Sequence, residues 1–144
     1  MDLISERILE RQRAPRPQSA VVASEKSELW GVGRLADLHG LTQPIQKAII
    51  TRIAESGAKE EQANYEQVRV AAEEVAKKKP LTYDHVRGNF AWISKYARSI
   101  TGTPMGPFEL VDRGAEYGKG ERYEYKMPRE DAEAWLALVR RYRG

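Results

Sequence analysis

Apolar positions recur at helical spacing along most of the chain and switch to alternation in one stretch. Leu3, Ile4, Ile8 and Leu9 predict a short amphipathic helix over 2–13, broken by Ala14-Pro-Arg-Pro. Residues 20–32 are ambiguous, with room for a short strand over 20–23 and then a loop. RLADLHG predicts a helical turn ended by Gly40. Thr42 ahead of Pro44 predicts an N-cap and a first turn. The helix that follows carries the stripe Ile45, Ile49, Ile50 and Ile53 and stops at Gly57. After a polar loop, Asn64 with Gln67 three residues on predicts a capping box. Tyr65, Val68, Ala71, Ala72 and Val75 give that helix its inner face. Lys77, Lys78 and Lys79 fall in its last turn, where cations suit the helix dipole, and Pro80 ends it. Thr82 predicts the cap of the next helix. Val86, Phe90, Ile93 and Ala97 recur at i, i+4, i+7 and i+11, so they share one face and predict core. Arg87, Ala91, Ser94, Lys95 and Arg98 lie on the far side of the wheel. His85, Asn89, Trp92 and Tyr96 form a flank between the two.

Beyond Gly102 the period drops to two. PFELVDRG and GERYEYKM alternate like strands around a Gly- and charge-rich link and predict a β-hairpin. On its second strand Tyr123 and Tyr125 share one face, and Arg122, Glu124 and Lys126 share the other. Pro128 opens a last helix with the apolar stripe Trp135, Leu136, Val139 and Tyr142. The fold class expected is mainly α with a small β-hairpin (α+β). Three parts are expected: an N-terminal helix and extension over 1–40, a central domain over 41–127 and a C-terminal helix over 128–144.

Charge changes this picture more than composition does. The 144 residues carry a formal net charge of only +3. Residues 77–100 nevertheless hold six bases and one acid, a local excess of +5, which leaves −2 for the rest of the chain. Concentrated positive charge attracts polyanions. With Cys 0 in the sequence, disulfides, thiolate nucleophiles and cysteine-ligated metals are excluded. Two histidines are too sparse for a metal site or a hydrolytic triad. No cofactor or metal is expected. The N-terminus mixes charges into its apolar positions and does not read as a signal peptide, and no apolar run spans a membrane. A cytoplasmic protein with no membrane partner is expected.

The caps at Thr42, Asn64 and Thr82, the inward stripes, the KKKPLT turn and the GPFELVDRG…GERYEYKM hairpin together resemble a winged helix-turn-helix domain over roughly residues 42–127. The resemblance implies a sequence-specific double-stranded DNA-binding protein, a transcriptional regulator, with the helix after Thr82 in the major groove. It implies Lys77, Lys78, Lys79 and Thr82 at phosphates. It implies Asp84, Arg87, Ala91, Ser94, Lys95 and Arg98 at or beside base edges. Asn89 would meet adenine if its flank turned inward. Arg113, Lys119 and Arg122 fall on or near the wing. The sequence departs from the common pattern: the helix after Thr82 is long, Gly88 lies inside it at a cost of about 1 kcal/mol against alanine, and the loop over 58–63 is long for the link between the first two helices.

Each of these residues also has a plainer reading. A lysine run at a helix end satisfies carbonyls, exposed arginines are ordinary surface, and Trp92, Tyr96 and His85 fit under the N-terminal segment. Trp135, Val139 and Tyr142 serve either as core or as the seam of a homodimer, since two-fold operators match two-fold proteins. Three further functions compete. Trp92 and Tyr96 beside the lysines would make a base-stacking platform for single-stranded or architectural binding. A winged helix also serves as a protein–protein adaptor. Lastly, Asp112 followed by Glu124-Tyr-Lys126 resembles the metal site of PD-(D/E)xK nucleases, in which two carboxylates hold Mg²⁺ and the lysine positions water.

Overall fold

The computed structural model describes residues 29–77, 81–114, 116–118 and 121–143, apart from the side chain of residue 143. The expected helix over 2–13 and the strand over 20–23 lie outside the described residues, as do Lys78, Lys79, Pro80 and Lys119. The described chain is mainly helical with a small antiparallel sheet, an α+β fold. Its elements are α1 (Gly31–Leu41), α2 (Pro44–Gly57), β1 (Ala63–Asn64), α3 (Tyr65–Ala76), α4 (Tyr83–Thr101), β2 (Glu109–Asp112), β3 (Tyr123–Lys126) and α5 (Arg129–Arg143). No helix among the described residues is long and apolar enough to cross a membrane.

Helix α1 runs for 11 residues rather than the single turn expected from RLADLHG. Its start is held from a distance. The backbone N–H groups of Trp30 and Gly31 donate to the two carboxylate oxygens of Asp131, at 2.8 and 3.1 Å. Asp131 is itself buried in the first turn of α5, so one carboxylate serves the amides that open α1 and locks the two helices together.

The start of α2 differs from expectation by one residue. Thr42 ends α1: its N–H donates to the Leu38 carbonyl and its hydroxyl to the His39 carbonyl. Gln43 is the cap instead, and the Gln46 side chain accepts from the Gln43 N–H at 2.8 Å. The box at the start of α3 is as expected. Asn64 Oδ1 accepts the Gln67 N–H at 2.8 Å, and Gln67 Oε1 accepts the Asn64 N–H at 3.0 Å.

The sheet has order β1-β3-β2, all antiparallel. Strand β1 is an addition to the expected hairpin: Ala63 pairs with Tyr125 and Asn64 with Glu124. It ties the connection between α2 and α3 to the sheet. The core gathers Leu35 and Leu38 from α1, Ile49, Ile50 and Ile53 from α2, Val68 and Ala72 from α3, and Val86 and Ile93 from α4. Trp135 and Leu138 of α5 close it. One inward assignment fails, and one residue left open between core and dimer seam proves to be exposed. Val75 is exposed, whereas Glu73, two residues earlier, is buried. Tyr142 is 62% exposed at the edge of α5, where its ring meets His39 at 5.3 Å.

Trp135 needs a further correction. It is wholly buried in its own chain and donates its indole N–H to the Thr51 hydroxyl at 3.0 Å. A side chain so enclosed has no surface left for a second copy. Val139 is half-buried against the same core. Of the three residues assigned to a dimer seam, Tyr142 alone offers an exposed ring.

Candidate nucleic-acid interface

The N-terminus of α4 is set by fixed points at the end of α3 and at residues 81 and 82. Helix α3 stops at Lys77, which adopts the left-handed conformation (φ 57°, ψ 40°) while its N–H bonds the Glu73 carbonyl at 2.8 Å. Lys77 therefore ends the helix rather than lying in its last turn. A non-glycine residue takes this conformation at some steric cost, and bonds on either side of residues 78–80 offset it. Glu73 supplies one of them. Its buried carboxylate pairs with Arg69 and accepts the Leu81 N–H at 2.9 Å, reaching across the turn. Thr82 then caps α4, its hydroxyl oxygen accepting the His85 N–H at 3.1 Å.

The orientation of α4 comes from both sides. Toward the sheet, Phe90 stacks on Tyr125 with centroids 4.9 Å apart, and Phe108 meets both rings edge-on. Burial holds the Tyr125 phenol far above its ordinary pKa, with nearby tyrosines adding to the shift, so it stays neutral. Toward α2, the side-chain amide of Gln46 donates to Asn89 Oδ1 at 3.2 Å. Asn89 in turn donates to the His85 carbonyl at 3.0 Å. Both ends of the Asn89 amide are thus used inside the protein. Its expected pairing with adenine requires breaking this bridge, and Asn89 is a positioning residue for α4.

With Val86, Ile93 and Ala97 buried, the opposite side of α4 faces out. Asp84, Arg87, Ala91, Lys95 and Arg98 are all exposed, whereas Ser94 is half-buried. His85, Gly88 and Ser99 are exposed as well and were not among the residues expected at the interface. They follow from the wheel once its buried centre is placed on the mean direction of Val86, Ile93 and Ala97. The outward pole then passes close to Asp84, Gly88 and Lys95, with Ala91 beside it, leaving Arg87 toward the sheet and His85 toward α2. The charged groups are loosely engaged with one another. Arg87 stands 3.6 Å from Asp84, their side chains 66% and 81% exposed. The Lys95 ammonium lies 4.5 Å over the Trp92 ring. Trp92 is itself 49% exposed and tilts against the half-buried Tyr96 at 5.8 Å.

A groove of about 570 Å³ runs along one flank of this face. The start of α2 (Pro44, Ile45), the end of α3 (Val75, Ala76) and Gly88 and Trp92 of α4 line it. Val75, expected inward, is part of this lining.

On the hairpin, Arg122 forms a two-point bond to Asp112, at 3.0 and 2.7 Å. The Arg122 bond, with help from the Gly114 N–H, holds the Asp112 carboxyl below its usual range. Arg113 lies 3.8 Å from Glu124, and its guanidinium covers the Tyr117 ring at 4.0 Å. Both arginines expected on or near the wing therefore have partners of their own. The nuclease-like constellation does not assemble. The ladder sets Asp112 opposite Tyr123 and Val111 opposite Glu124. Residues directly opposite share a face, so Asp112 faces away from Glu124 and Lys126. Among the described residues no group of three or more His, Asp or Glu stands close enough to hold a metal. Comparison with protein-family models, with curated proteins and with solved structures gives no match.

Proposed function

We propose that this chain is a winged helix-turn-helix protein that binds double-stranded DNA through the outer face of α4, as a cytoplasmic transcriptional regulator. The observation that carries this reading is one helix with two fully different sides. Val86, Ile93 and Ala97 are buried on a helix that packs on α1 and α2, while Arg87, Lys95 and Arg98 are exposed on the other side of a helix whose N-terminus is capped and braced. The order α2, β1, α3, α4, β2, β3, with α3 and α4 joined by a short turn and β1 pairing with β3, supports it. A helix carried this way fits a major groove about 12 Å wide. Arg113 and Arg122 belong to the hairpin whose Tyr125 stacks on Phe90 of α4, and are suited to phosphates next to the groove. Pairing of two copies belongs to the same reading, with Tyr142 as the exposed ring that a partner would meet.

The exposure of Trp92 favours a second reading, in which bases of a single strand stack beside the basic helix. Lys95 over its ring counts against it, because a stacking base has to displace that ammonium.

Fluorescence anisotropy on duplex and single-stranded DNA of equal length, at 50 and 200 mM salt, tests both. The duplex reading expects tighter duplex binding that weakens by roughly 10³-fold over this range if about six phosphates are neutralised. A variant with Arg87, Lys95 and Arg98 changed to alanine should bind more weakly and with a shallower salt slope. Preference for the single strand moves the role to Trp92. Absence of binding to either DNA at the lower salt rejects nucleic acid as the ligand.

A further inference from the structure

Gly88 is the sixth residue of the 19-residue helix α4, well inside it. Glycine there costs stability, because it gives up more backbone freedom than alanine and adds no packing. Other described glycines have reasons within the molecule. Gly31, Gly102 and Gly114 have φ of 86°, 87° and 127°. A Cβ on Gly57 would stand 2.6 Å from the Met127 carbonyl oxygen. Gly33 and Gly40 share with Gly88 open space where a Cβ would be, but they lie within three residues of the ends of α1, where a glycine disturbs little. At Gly88 the backbone is helical, nothing among the described residues lies within 4 Å of the Cβ position, and the residue is exposed. The described fold therefore gives no reason for glycine at this point.

We infer that Gly88 is the point of closest approach between α4 and bound duplex, kept bare so that base edges reach the helix backbone. The inference rests on the duplex reading above and adds to it the residue that sets the depth of the helix in the groove. Gly88 occupies the outward pole of α4, flanked by Asp84 one turn before and by Ala91 and Trp92 one turn after. It also lines the groove beside α2 and α3, so the surface is already recessed there. An α-helix with its side chains is about 10–12 Å across and the major groove about 12 Å wide, so the helix fills the groove and the side chains it presents there set how deep it sits. A methyl at Gly88 lifts the helix and lengthens the bonds that Arg87 and Lys95 make on either side.

The sign of the effect separates this from any structural role. Gly88→Ala should fold better, with Tm raised by roughly 3 °C. It should also bind duplex about 10-fold more weakly, the loss expected when one good base contact is broken. Gly33→Ala is the control: an exposed glycine of α1, also with open space at its Cβ position, whose replacement should leave duplex binding unchanged. Thermal melts and duplex anisotropy at 50 mM salt on these two variants and the unaltered protein decide the matter. If Gly88→Ala binds duplex as the unaltered protein does, the inference is wrong and the duplex reading stands. If Gly88→Ala lowers Tm, glycine is required by the fold and the inference is wrong for that reason. If the unaltered protein binds no duplex, the reading fails and takes the inference with it.

Discussion

The two sides of α4 are built on opposite principles. On the braced side the polar groups have fixed partners: buried Glu73 holds Arg69 and the Leu81 amide, buried Gln46 holds Asn89, and the exposed Thr82 hydroxyl holds the first turn. On the outer side the partners are weak and exchangeable, with Asp84 near Arg87 and Lys95 over Trp92. A buried polar group left alone costs the full desolvation of that group, so the inner bonds specify one position for the helix. An exposed group always has water as an alternative, so the outer side chains are free to trade their present contacts for those of a ligand. The contrast makes α4 a rigid mount for a reconfigurable surface, which is what recognition by a docked helix needs.

The sharpest way to break the comparison is at Glu73. Changing Glu73 to alanine removes a buried carboxylate that braces the turn on its far side. The expected loss is about 3 kcal/mol, in the range for truncating one partner of a largely buried charged bond. Urea unfolding measures it. Hydrogen exchange adds a local readout, because the Leu81 amide loses its acceptor and should exchange much faster. A loss comparable to that of an exposed-surface variant would mean that the turn is held by something other than this carboxylate.

Thr82 gives a smaller effect on the same side. Its hydroxyl satisfies one amide at the start of α4, and Thr82→Ala should cost about 1 kcal/mol. Thr82→Ser keeps the acceptor and should recover most of it, as read from the urea midpoints of the two variants. If serine and alanine prove equally destabilising, the cap contributes nothing and Thr82 matters only through its methyl group.

Much of this arrangement was legible in the sequence because it depends on local chemistry. The box of Asn64 and Gln67, the cap at Thr82 and the stripe of Val86, Ile93 and Ala97 need only residues within one helix. What was not legible depends on partners far along the chain. Strand β1 is two residues long, too short to alternate, and exists because Tyr125 and Glu124 pair with it. Asp131 reaches the start of α1 from 100 residues away. Trp135 shares a helical stripe with Tyr142, and periodicity alone assigns both to one surface, yet the core closes over the first and leaves out the second. Val75 and Glu73 exchange roles for a similar reason: the turn offers the carboxylate an arginine and a backbone amide, which makes its burial tolerable. In the candidate interface, Asn89 had the right residue type for reading adenine, but Gln46, 43 residues earlier, already uses its oxygen.

The smallest effect is expected at Arg87, and its smallness carries the argument. Arg87 and Asp84 are three residues apart on the exposed face, 3.6 Å at their nearest charged atoms. Exposed pairs of this kind contribute a few tenths of a kcal/mol and are screened by salt. A double-mutant cycle of Asp84→Ala and Arg87→Ala, followed by urea unfolding, should therefore give a coupling of about 0.3 kcal/mol that fades as salt is raised. In duplex binding the same two changes should act with opposite signs. Arg87→Ala weakens binding by removing a cation from the interface. Asp84→Ala strengthens it by removing an anion near the phosphates and releasing the Arg87 guanidinium. A large, salt-resistant coupling in folding would show that the outer side is braced like the inner one, and α4 would lose the asymmetry on which its proposed role depends.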